Sequence, residues 1–175
     1  MSTKETMLRL LEAAGGKFIS GSDIAHSAGV SRNAVWKNAA ALREAGFDIE
    51  AGDGGYRMAG DKLCPELIKY YAKNDFGITF FTETGSTNRE AARLASSVAL
   101  PHMVAAAAQN GGRGRHGKSF FSEGGIYFSM ILDAAAVKIP PMLLTTAAAC
   151  ATLRAIEAEY DAKPKIKWIN DIYLG

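Results

Sequence analysis

Residues 22–37, Ser-Asp-Ile-Ala-His-Ser-Ala-Gly-Val-Ser-Arg-Asn-Ala-Val-Trp-Lys, read as two short helices meeting at a tight turn. Ser22 is the expected N-cap of a helix over 23–28, because its hydroxyl can accept from the free N–H groups of a first turn. Gly29 supplies the turn. Ser31 is the expected cap of a longer helix over 32–45, with Val35, Ala39 and Leu42 at helical spacing and Gly46 as its stop. Upstream, residues 3–14 set Met7, Leu8, Leu10, Leu11 and Ala14 on one apolar stripe, closed by Gly15-Gly16. Downstream, residues 47–50 and 56–58 flank Ala-Gly-Asp-Gly-Gly, which predicts a two-stranded hairpin with a glycine-rich tip. Three helices and a hairpin predict a winged helix-turn-helix over residues 1–60.

In such a unit the second helix of the pair offers its N-terminal side chains to the major groove. Here these are Ser31, Arg32, Asn33, Trp36 and Lys37, types that contact phosphates and base edges, and Ser22 of the preceding helix joins them. The plainer alternative is a helical protein-interaction module with a solvated polar face, which the balance of acidic and basic residues in this segment would suit. The net charge of the 175-residue chain is only +2, too small for bulk attraction to nucleic acid. No run of about 18 apolar residues exists, so no membrane span is expected. The N-terminus lacks an apolar signal core, and a cytoplasmic protein is expected. Cys64 and Cys150 stand in unrelated contexts and are expected to be reduced, and the three scattered histidines predict no metal site.

Residues 61–66 read as a linker, and from 67 to 175 apolar strands alternate with helices. Strands are expected over 78–81, 103–108, 125–132 and 165–168, although the alanines of 105–108 are weak strand formers. Thr87 with Glu90 suggests a capping box before Ala91, Ala92, Leu94 and Ala95. Pro140-Pro141 precedes a long apolar helix reaching to about residue 160. The class is α/β or α+β with a mixed sheet.

Between two apolar strands, residues 109–118 read Gln-Asn-Gly-Gly-Arg-Gly-Arg-His-Gly-Lys. Glycine lets a ligand approach the backbone closely, and arginine carries a donor fork that matches phosphate or carboxylate. The segment is read as a loop for an anionic ligand. An Arg-Gly contact to nucleic acid is the alternative, although such contacts come in longer repeats.

Three segments in order carry a family resemblance: Gly85-Ser86-Thr87-Asn88; Gln109 with Gly112-Arg113-Gly114-Arg115-His116-Gly117; and Lys167-Trp168-Ile169-Asn170-Asp171. They resemble the motifs of biotin protein ligases. With the winged helix in front, the chain is most similar to the bifunctional kind, both ligase and biotin operon repressor. The resemblance implies a mixed-sheet catalytic domain like that of the class II synthetases. It also implies a two-step reaction: biotin and ATP with Mg2+ give biotinyl-5′-adenylate, and biotin then passes to a lysine of a biotin carboxyl carrier protein. By match, Ser86, Thr87, Asn88 and Gln109 would bond the biotin head group. Arg113 and Arg115 would contact the acyl-phosphate, with Gly112 and Gly114 letting the loop close. Lys167, Asn170 and Asp171, with Arg115, would line the ATP side. Operator DNA and a homodimer formed on ligand binding complete the implied partners.

Plainer readings remain at each position. Thr87 could be only a cap, Gln109 a strand end, Lys167 a solvated strand residue and Asn170-Asp171 a turn. The sequence also departs from the family, with Ile169 where proline is usual and Phe120 where tryptophan is common. The family's Lys-x-x-Gly-Ile-Leu strand would follow Gly175, so the catalytic domain is expected to be incomplete at its C-terminus, with impaired adenylation and exposed apolar sheet faces. Two other readings stay open: a non-catalytic, ligand-sensing DNA-binding regulator, and a ligase for lipoate or another acyl group.

Overall fold

The computed structural model describes residues 2–72, 75–112 and 124–174. It begins with helices α1 (Thr3–Ala13), α2 (Gly21–Ala28) and α3 (Arg32–Glu44), then strands β1 (Ile49–Gly52) and β2 (Gly55–Met58). Each helix starts at a serine hydroxyl that accepts an N–H of its first turn: Ser2 from Glu5, Ser20 from Asp23 and Ser31 from Ala34. The cap of α2 is therefore Ser20, not the expected Ser22. Ser20 stands three residues ahead of Asp23, so its hydroxyl both accepts from the Asp23 N–H at 3.0 Å and donates to the Asp23 carboxylate at 2.7 Å. Ser22 has no such partner and falls inside the first turn.

The three helices bury Met7, Leu8, Leu11, Ile24, Val35, Ala39 and Leu42 in one core, closed by Ile49 and Met58, register partners at the open end of the hairpin. Ile19 pairs with Tyr56 and adds a third extended segment to the wing. Gly55 is required there, because its φ is +110° and a Cβ would stand 2.0 Å from the Ile19 carbonyl oxygen.

The segment after the wing is more structured than a linker. Helix α4 (Pro65–Tyr71) starts with proline in its first turn, and Cys64 and Leu67 are buried in the same core as Met7, Leu8 and Leu11. The Tyr71 hydroxyl donates to the Glu12 carboxylate on α1, and that bond pushes the phenol up to about 12. The helical core thus continues beyond residue 60.

A mixed three-stranded sheet follows, as expected for the class. Strand β3 (Gly77–Thr84) runs parallel to β4 (His102–Gln109), and β4 runs antiparallel to β5 (Tyr127–Ile131). Helix α5 (Thr87–Leu94) makes the crossover that a parallel pair demands. Ala105 and Ala106 fit the centre of the sheet, where they and Val104 are fully buried, while Ala107 and Ala108 are exposed. On β5 the pattern alternates: Tyr127, Ser129 and Ile131 are half-buried, while Phe128 and Met130 are 51% and 38% exposed.

Residues 132–175 form a second compact unit. A 3-10 turn (Pro141–Leu143) leads into α6 (Leu144–Glu159), and β6 (Lys165–Lys167) pairs antiparallel with β7 (Asp171–Tyr173). The 165–168 strand therefore ends one residue early and belongs to a hairpin whose return strand the sequence did not announce. No helix among the described residues is long and apolar enough to cross a membrane.

If α4 completes the N-terminal core, Leu67→Ala should cost about 2–4 kcal/mol in urea-induced unfolding of that region, the usual range for a buried leucine. Tyr71→Phe should cost under about 1 kcal/mol, since its hydrogen bond lies at the surface. Equal effects of the two substitutions would show that α4 is not part of the core.

Candidate functional site

Strand β3 leads through Gly85 and Ser86 directly into α5, so the free N–H groups of that helix open at the C-terminal end of the parallel strands. Ser86, in extended conformation, is the cap and accepts the Arg89 N–H at 3.4 Å. The expected capping box of Thr87 with Glu90 does not form. Thr87 is the first helical residue, and Glu90 instead pairs with Arg93 at 2.9 Å. The backbone N–H of Thr87 donates to Gln109 Oε1 at 2.9 Å, across from the end of β4. The Thr87 hydroxyl faces the same oxygen at 3.4 Å and accepts from the Ser129 hydroxyl at 3.1 Å. Thr87 itself is 5% exposed.

Beyond Gln109 the β3–β4 ladder continues into the loop. Asn110 N–H donates to the Thr84 carbonyl at 3.1 Å and Gly111 N–H to the Gly85 carbonyl at 2.8 Å. Gly111 allows this approach because a Cβ there would stand 2.8 Å from the Gly85 oxygen and 3.2 Å from its Cα. The result is an open cleft of about 530 Å³ lined by Ser86, Thr87, Asn88, Gln109 and Gly112, with Arg89, Ala92 and Gly111. Five of the residues anticipated from sequence therefore come together. Arg89, Ala92 and Gly111 had not been anticipated. Arg89 carried a signal, a cation in the first turn of a helix where an anion is favoured.

Arg113, Gly114, Arg115 and Phe120 lie outside the described residues. Lys167, Asn170 and Asp171 fall in the second unit, where Lys167 and Asp171 are register partners at the end of the β6–β7 hairpin and both are exposed. Asn170 is in the intervening turn, beside a cis Trp168–Ile169 peptide bond. Among the described residues no group of three His, Cys, Asp or Glu side chains is arranged to hold a metal ion.

A second concavity belongs to the winged helix. Ser22, Arg32, Asn33 and Trp36 line a groove of about 480 Å³ between the start of α3 and the wing. Trp36 is 58% exposed, unusual for tryptophan without a partner. Ser31 contributes its hydroxyl to the cap of α3, and Lys37 is exposed on the next position of that helix. The wing is braced from below. The Phe18 ring lies 4.9 Å from the Arg57 guanidinium, and Arg57 pairs with Glu50 at 2.6 Å. A Cβ on Gly52 would meet that ring at 3.2 Å, and one on Gly54 would stand 2.8 Å from the Phe18 Cβ.

Comparison with known proteins matches residues 3–57 to a helix-turn-helix domain and residues 80–175 to the biotin/lipoate A/B protein ligase family. The bifunctional ligase/repressor BirA of Bacillus spizizenii is 35% identical over 98% of this chain and 56% of its own length. The BirA proteins of Bacillus subtilis and Escherichia coli are 34% and 30% identical, over 98% and 92% of this chain and 56% and 51% of theirs. The chain thus spans about half the length of the curated relatives it matches. A solved biotin acetyl coenzyme A carboxylase synthetase of Helicobacter pylori, with bound biotinylated ATP, shares the fold. Its TM-score is 0.50 at 21% identity, over 58% of this chain and 50% of that one.

Both concavities rest on glycines in backbone contact. Gly111→Ala should push the loop off Gly85 and cost about 1–3 kcal/mol in urea unfolding, as an overpacking substitution. Gly55→Ala should cost at least as much and broaden the amide resonances of the wing. Unchanged stability in either variant would contradict the close approaches described.

Proposed function

This chain belongs to the biotin/lipoate A/B protein ligase family, and on that premise we propose that it serves as a biotin protein ligase joined to a biotin-responsive transcriptional repressor. The observation that carries the ligase half is the cleft at the start of α5, where Ser86, Thr87, Asn88, Gln109 and Gly112 converge from two stretches of sequence. Polar side chains at a helix N-terminus suit a compact, hydrogen-bonding head group, and the glycine loop beside it suits the anionic tail. In the proposed reaction the biotin carboxylate attacks the α-phosphorus of ATP and pyrophosphate leaves. A lysine amine of a biotin carboxyl carrier protein then attacks the acyl carbon, and AMP leaves.

Within this reading, Ser86, Thr87, Asn88 and Gln109 orient the head group. Arg113 and Arg115, with Gly112 and Gly114, neutralise the acyl-phosphate, and Lys167, Asn170 and Asp171 attend the nucleotide. Magnesium would neutralise phosphate charge when bound with ATP. A single exposed carboxylate such as Asp171 fits an ion that keeps its waters and phosphate ligands. Biotin is favoured over lipoate because the winged helix precedes the ligase segment, as in the BirA proteins matched over nearly the whole chain.

The repressor half places Ser22, Ser31, Arg32, Asn33, Trp36 and Lys37 against operator DNA, supported by the exposed α3 start and its groove with the wing. A homodimer formed on ligand binding would present two such helices to a two-fold operator. A cytoplasmic location agrees with the free Cys64 and Cys150.

Incubation with biotin, Mg2+ and ATP should yield biotinyl-adenylate detectable by mass spectrometry, at the impaired rate expected of an incomplete catalytic domain. Lys167→Ala should lower that rate about a further 100-fold, typical for loss of a charge-stabilising donor. Calorimetry showing neither biotin nor adenylate bound would overturn the ligase reading, and tighter binding of lipoate would reassign its substrate. For DNA, Arg32→Ala and Lys37→Ala should each weaken binding, and loss of a phosphate contact should lower the salt slope by about 1. Unchanged affinity in the double variant would sink the repressor reading.

A further inference from the structure

Strand β5 reads Tyr-Phe-Ser-Met-Ile, and Ser129 is its one aliphatic hydroxyl. Its register partner on β4 is Val104, which is fully buried, so packing alone would favour an apolar residue opposite it. The hydroxyl instead donates to Thr87 Oγ1 at 3.1 Å. A threonine hydroxyl has one hydrogen. Because Thr87 Oγ1 accepts from Ser129, that hydrogen is directed towards Gln109 Oε1, 3.4 Å away. The same Gln109 oxygen also accepts the Thr87 backbone N–H at 2.9 Å. A backbone N–H can be met only by an acceptor, so the oxygen of the Gln109 amide faces Thr87 and both its lone pairs are taken. The amide nitrogen, with two N–H groups, is what remains for the cleft that Gln109 lines.

We propose that Ser129 is a positioning residue that, through Thr87, fixes the Gln109 amide as a hydrogen-bond donor towards the ligand. The proposal rests on the biotin reading above for the identity of that ligand. Ser129 fixes polarity as well as position. With the relay intact, the cleft offers donors to a carbonyl or other acceptor atom. Without it, the Thr87 hydroxyl can rotate away and only the Thr87 backbone N–H still holds the Gln109 oxygen, so the amide turns over more readily and presents an acceptor for part of the time. A ligand whose acceptor must meet Gln109 then binds only the fraction of molecules in the correct state.

Nitrogen-15 relaxation of the Gln109 side-chain amide, with calorimetric titration of biotin, tests this on the full chain. Ser129→Ala should lower the order parameter of the Gln109 amide and weaken biotin about 5–10-fold, the effect of a neutral hydrogen bond. Ser129→Thr keeps the donor and should restore both towards the original values. An unchanged Gln109 amide in Ser129→Ala overturns the proposal. So does a loss of order spread across β4 and β5 that Ser129→Thr fails to reverse, because that would mark a packing role. If the unsubstituted chain binds no biotin while the Gln109 amide still responds to Ser129→Ala, the ligand reading fails and the relay stands.

Discussion

The first turn of α5 begins with N–H groups that no carbonyl of its own helix can satisfy. Ser86 meets the one on Arg89, and Gln109, twenty-two residues beyond Thr87, meets the one on Thr87. That second bond fixes where β4 must end. Gln109 is the register partner of Thr84, so the helix start, the last pair of the parallel ladder and the first loop residues are tied together at one point. Two further bonds, from Asn110 to Thr84 and from Gly111 to Gly85, carry the alignment into the glycine loop. The capping requirement of one eight-residue helix thus assembles a cleft from sequence that is otherwise scattered.

The N-terminal half depends on a different constraint, the burial of one small apolar core by several short elements. Short helices are marginal alone and draw their stability from tertiary packing. The addition of Cys64 and Leu67 from α4 enlarges that core, and Tyr71 and Glu12 tie the outer ends of α4 and α1. The element that carries the chain towards the sheet is therefore docked on the helix-turn-helix unit before the first sheet strand begins. Its first turn is set by Pro65, whose missing N–H would have had no helical partner in any case.

What could be read from sequence followed periodicity and punctuation. The stripe of Met7, Leu8 and Leu11, the turn at Gly29 and the strand within 125–132 all survive in the structure, because each is decided within a few residues. The errors came where two local solutions compete. Ser20 and Ser22 could both cap α2, and the Asp23 carboxylate decided for Ser20. Ser86 and Thr87 could both cap α5, and the N–H of Thr87 found its partner on another strand. Ala105 and Ala106 of β4 looked weak for a strand because propensity ignores how little room the centre of this sheet leaves. In the cleft, Ser86, Thr87, Asn88, Gln109 and Gly112 were reached through a family motif. Arg89, Gly111 and Ser129 had no such guide. Their roles come from proximity across the fold, which a linear sequence does not display.

Arg89 gives the cleft an electrostatic character that needs no contact with ligand. It lies in the first turn of α5, where the aligned peptide dipoles already amount to about half a positive charge. Of the neighbouring carboxylates, Glu90 is paired with the Arg93 guanidinium, while Glu83 accepts from the neutral Asn110 amide and lies one strand end away. Cation and dipole therefore add rather than cancel, against the usual preference for an acidic residue at that place. An anion approaching the mouth of the cleft meets an attractive potential before it meets any hydrogen-bond donor. At physiological ionic strength that attraction extends about 8 Å into solvent, so its influence falls on how fast a charged ligand arrives and fades as salt is added.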